Sequence, residues 1–93
     1  MHKTDKVDSP LFSHLGFAEL NLGNYENAIY YLRKAVRADP GYAPVYHFIA
    51  QYYWKIGEFN IAKSYYIKAQ SLDPYNEVYK KNYKLIQKNE NLL

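Results

Sequence analysis

Cysteine is absent, which excludes a disulfide framework and a thiol nucleophile and leaves packing to hold the chain together. Long apolar runs are missing too. The longest fall far short of the roughly 20 residues of a membrane span, and "MHKTDKVDSP" lacks the apolar centre of a secretory signal. These absences predict a soluble, cytoplasmic protein with no membrane partner. There is no Gly-rich phosphate loop, no zinc-protease helix motif and no carboxylate pair, so neither an enzyme nor a cofactor is expected. Acidic residues are outnumbered only slightly, 9 against 12 basic, and the net charge of +3 permits an acidic partner without requiring nucleic acid.

Tyrosine is abundant, with 12 copies in 93 residues, and each supplies apolar area together with a hydroxyl that must reach water or a partner. Hydrophobic residues make up 48% and charged residues 23%, a globular balance. A chain of this size forms one domain and buries only about 60 to 65% of its unfolded surface.

The chain also says nearly the same thing twice. "LGNYENAIYYLRKAVRADP" ends at Pro40, and 34 positions later "IGEFNIAKSYYIKAQSLDP" ends at Pro74. The alignment pairs Gly23 with Gly57, Tyr25 with Phe59, Ala28 with Ala62, Ala35 with Ala69, and Asp39-Pro40 with Asp73-Pro74. A fixed period of this length signals a repeat architecture.

Each half reads as a helical hairpin. Ser9 before Pro10 predicts an N-cap, and Phe12, Leu15, Gly16, Glu19 and Leu22 trace a first helical face. Tyr25, Ala28, Ile29, Leu32, Ala35 and Val36 form the stripe of a second helix. Tyr46, Ile49, Ala50, Tyr53 and Ile56 make the inward face of a third, and Phe59, Ala62, Tyr66, Ala69 and Leu72 that of a fourth. Asn76 is the expected N-cap of a fifth helix with Tyr79, Tyr83 and Ile86 on one side. The paired alanines let neighbouring helix axes approach, the turn glycines predict a left-handed backbone, and each Asp-Pro stops a helix.

This pattern resembles the tetratricopeptide repeat family. Its scattered signature falls on Phe12, Leu15-Gly16, Gly23, Tyr25, Ala28, Ala35 and Pro40, then on Tyr46, Ile49-Ala50, Tyr53, Gly57, Phe59, Ala62, Tyr66, Ala69 and Pro74. The resemblance implies an all-α, right-handed superhelical solenoid of antiparallel helix pairs, about five helices in all. Residues 1–8 are expected to be a disordered lead-in, 9–42 and 43–76 the two repeats, and 77–93 a C-terminal capping helix. Glu19 departs from the pattern, where tyrosine is usual, and is expected to be exposed or to meet a basic group or partner. A related family with a period one residue longer binds RNA, but it lacks the Asp-Pro punctuation.

The resemblance further implies a concave groove, lined by the first helix of each pair, that binds a protein or peptide. The groove positions are Ser13, Phe17, Leu20 and Asn21, then His47, Gln51, Trp54 and Lys55, then Lys81, Leu85, Lys88 and Asn89. Such a floor is aromatic and apolar at one end and basic at the other, and suits a segment with apolar and acidic residues. Trp54 is expected to anchor that partner, or to pack on Phe17 or Leu20. The lysine and asparagine that clamp a chaperone's C-terminal carboxylate in some relatives are replaced by Ser13, Phe17 and Val78. His14 and His47 lack the company a metal site needs, and the basic residues of the second and last helices read as solvated faces, so neither metal nor nucleic acid is expected. The alternative function is self-assembly into a dimer or higher homo-oligomer, by repeat stacking or helix swapping at an unburied edge with Ile86 and Leu92, or a place in a longer repeat scaffold.

Overall fold

A computed structural model describes residues 5–88. Five helices follow in order: α1 (Asp8–Asn21), α2 (Tyr25–Ala38), α3 (Ala43–Lys55), α4 (Phe59–Leu72) and α5 (Glu77–Lys88). There is no strand among the described residues. The short connections make neighbouring helices antiparallel. α1 pairs with α2 and α3 with α4, the second hairpin stacks on the first through α3, and α5 packs on α4, giving a solenoid of helical hairpins.

The turns inside the two hairpins are the same structure. Gly23 and Gly57 have φ of 81° and 85°, where a side chain would strain the backbone. Gly23 N–H donates to the Leu20 carbonyl and Asn24 N–H to that of Glu19; Gly57 and Glu58 repeat this on Trp54 and Tyr53. This double bond pattern closes a helix end around a left-handed residue. Between hairpins, Asp39 and Asp73 leave the helical region before their prolines, Asp39 being extended, and Asp39 Oδ1 accepts from Gly41 N–H at 3.0 Å.

The core is built from small side chains. Ala28, Ala35, Ala62 and Ala69 are fully buried, so the helices approach closely at the expected positions. Leu32, Val45, Tyr46, Ile49 and Tyr79 complete a core that spans both hairpins and α5. Gly16 belongs here as well: a Cβ at that position would lie 2.7 Å from Leu32 Cγ and 3.1 Å from the Ala28 carbonyl oxygen.

Several expectations need correction. α1 begins at Asp8 with no side-chain cap, so Ser9 is not an N-cap; its Oγ instead donates to the Ala35 carbonyl at 3.0 Å, buried between α1 and α2. The buried face of α1 is Ser9, Ser13, Gly16 and Leu20, whereas Leu15 and Leu22 are exposed. The large apolar residues there outvoted the small ones in the sequence reading, yet the small ones allow the close packing. Ile56, Phe59 and Leu72 are more exposed than their stripes implied, because they lie at helix ends beside the turns. Ile86 is buried, so it is no open edge for assembly. Residues 1–4, together with Asn89, Leu92 and Leu93, lie outside the described residues. Asn76 does cap α5, its Oδ1 accepting from Tyr79 N–H at 3.1 Å.

Candidate functional site

Six of the expected groove residues line one cleft. Phe17, Leu20 and Asn21 come from the C-terminal half of α1, Gln51, Trp54 and Lys55 from the same part of α3, and Tyr66 of α4 joins them around about 320 Å³. The repeat explains the juxtaposition: Phe17, Leu20 and Asn21 are the 34-residue counterparts of Gln51, Trp54 and Lys55, so stacking two hairpins lays equivalent positions side by side. The walls are aromatic and the rim carries exposed Asn21 and Lys55, with no acidic side chain among the lining residues. Inside, Gln51 Oε1 is buried without a hydrogen-bond partner.

Ring contacts fix the walls. Phe17 stacks on Phe48 of α3 at 4.7 Å, and Trp54 meets Phe59 of α4 edge-on at 4.4 Å. Trp54 therefore has its ring contact within its own hairpin rather than with Phe17. It remains part-exposed. The sequence does not single out Phe48 and Tyr66 for the site: Tyr66 falls on the inward stripe of α4, and Phe48 matches no signature position.

The other expected groove residues lie elsewhere. Ser13 is fully buried with its Oγ unpaired, so it offers nothing to a groove. Leu20, although it lines the cleft, is buried and contributes little more than an edge to it. His47 is enclosed by Phe48, Tyr66 of α4 and Tyr79 of α5, with ring centroids at 6.0, 5.6 and 5.3 Å. Burial lowers its pKa below the usual imidazole value, and its Nδ1 has no partner. His14 has a ring contact with Phe48 at 6.4 Å, and no group of three metal-binding side chains exists among the described residues. Lys81 lines a separate shallow hollow of α5 with Glu77, Lys80 and Lys84, while Leu85 and Lys88 are simply exposed. Glu19 accepts from Asn24 Nδ2 at 2.8 Å and braces the first turn.

A second cleft, of about 280 Å³, was not foreseen. Ile29, Arg33, Val36 and Arg37 of α2 face Tyr46, Ile49 and Tyr53 of α3 and Tyr65 of α4 across it. Tyr65 stacks on Tyr53 at 5.6 Å and on Tyr46 at 6.2 Å. Sequence alone gives no sign of it, because the arginines read as a solvated face and the tyrosines as core. No helix among the described residues is long and apolar enough to cross a membrane.

Comparison with known proteins agrees with the geometry. Two sequence models described as tetratricopeptide repeat match residues 10–42 and 43–76, one on each hairpin. A search of curated proteins gives no match. With glycine turns, alanine contacts and Asp-Pro breaks recurring at the family's period, the chain belongs to the tetratricopeptide repeat family, whose repeats are in general non-enzymatic protein-interaction modules.

Proposed function

We propose that the chain binds a peptide or protein segment in the cleft between α1 and α3. The observation that carries this reading is the convergence of Phe17, Gln51, Trp54, Lys55 and Tyr66 on one aromatic cleft with a cationic rim. A ligand that fits brings an apolar side chain to lie against Trp54 and Phe17 and an acidic group beside Lys55. The α5 lysines lie apart from this cleft and are not part of the minimal site.

Trp54 is the sole tryptophan, so its emission reports this cleft alone. Selection from a random peptide library on the folded chain should enrich segments pairing aromatic or aliphatic residues with Asp or Glu. Their binding should shift Trp54 emission. Trp54→Ala and Lys55→Glu are each expected to weaken the selected peptides by about tenfold or more while helicity is kept. Peptides that bind both variants as well as the parent would place the site elsewhere, and unfolding of Trp54→Ala would assign that ring to packing on Phe59.

A further inference from the structure

α1 is apolar on two opposite faces. One, with Ser9, Ser13, Gly16 and Leu20, is buried within the molecule. Half a turn away lie Leu11, Leu15, Ala18 and Leu22, at successive spacings of 4, 3 and 4 residues. Leu11 is 56%, Leu15 38% and Leu22 74% exposed, and Ala18 is exposed with them. The stripe holds no charged residue.

The repeat identifies what this stripe is. In the second hairpin the same register holds Val45, Ile49, Tyr52 and Ile56; Val45 is 0% and Ile49 4% exposed, in one core with Leu32 and Ala35, and Tyr52 meets Tyr25 edge-on at 6.4 Å, while Ile56, beside the turn, stays exposed as Leu22 does. In α5 it holds Tyr79, Tyr83 and Ile86, of which Tyr79 and Ile86 are buried and Tyr83 is half-buried. Each later unit thus docks on its predecessor through this register, and in α1 nothing among the described residues covers it.

We infer that a second copy of this chain covers it, α1 lying antiparallel against α1 about a two-fold axis. Two arguments select this occupant. First, a 4-3-4 spacing reads the same in both directions. With the axis level midway between Leu15 and Ala18, Leu11 faces Leu22 of the second copy, and Leu15 enters the space over its Ala18 at both central contacts. Second, the chain's other end does not fit: where α3 has Tyr46, Ala50 and Tyr53, α5 has Lys80, Lys84 and Gln87, so continuing the stack from that end would bury lysines. The contact stands independently of the groove. Two helices of 14 residues, each roughly 21 Å long, form a small interface, so association is weak and must be read at high concentration.

Sedimentation equilibrium of the full chain from low micromolar to near-millimolar concentration should show a monomer–dimer equilibrium that stops at two. Leu15→Glu, and Leu11→Glu as a second variant at a more exposed position, should each weaken dimerisation at least tenfold with unchanged helicity. Ala18→Trp is the sharper test: general stickiness would tighten association, whereas loss of the space for Leu15 weakens it. A monomer throughout, growth beyond two copies, insensitivity to both glutamates, or tightening by Ala18→Trp would each overturn the inference.

Discussion

His47 and Ser13 occupy the same register 34 residues apart, and both are withdrawn from the groove with a polar atom unpaired. For serine the consequence is small, since a hydroxyl carries no charge. For His47 it makes the fold sensitive to pH. Enclosure by Phe48, Tyr66 and Tyr79 lowers the folded pKa below the ordinary 6.5, so in the acid window between the two values the unfolded chain binds a proton the folded chain refuses. Stability from this group is therefore undiminished above about pH 6.5 and is lost as the pH falls through that window. The melting temperature should drop more between pH 7.5 and pH 5.5 in the parent than in His47→Phe; parallel losses in the two would show that His47 is not the proton acceptor responsible. The sequence located His47 one turn from Gln51 on the same helix but could not reveal its burial, because two of the three covering rings come from α4 and α5.

At the scale of elements, α1 and α2 depend on a missing side chain. A Cβ on Gly16 would sit 2.7 and 2.8 Å from Leu32 side-chain atoms and 3.1 Å from a backbone oxygen of α2, and Leu32 is itself fully buried. Overpacking of this kind costs about 1–3 kcal/mol, more than the roughly 1 kcal/mol that alanine gains over glycine in helix propensity. Gly16→Ala should therefore lower the unfolding midpoint in urea, and a raised midpoint would show that α1 and α2 can part without loss. The Ser9 hydrogen bond to Ala35 works across the same seam. Helix identity was legible from the stripes and breaks, but the buried face of α1 was not. Small residues carry no hydrophobic signal, and a helix apolar on two sides has no single direction for periodicity to report.

For the whole molecule, stability should grade along the stack. α1 through α4 form two close pairs joined through α3, whereas α5 packs on one side only and exposes Val78, Leu85 and its lysines. Amide exchange in α5 should accordingly be faster than at Leu32 or Ile49, and equal protection throughout would mean the five helices open as one unit. The sequence by itself determined the number of helices, the turn glycines, the Asp-Pro boundaries and the alanine contacts, because these are local requirements written at a fixed period. It also aligned Phe17, Leu20 and Asn21 with Gln51, Trp54 and Lys55, which is most of the cleft. Only the tertiary structure decided that Ser13 and His47 turn inward, that Tyr66 completes the cleft and that Trp54 rests on Phe59. It alone decided that Leu11, Leu15 and Leu22 are left in solvent. Each of these depends on which helix lies opposite, and a repeat pattern records a residue's place within its unit without recording what the neighbouring unit, or the end of the stack, puts against it.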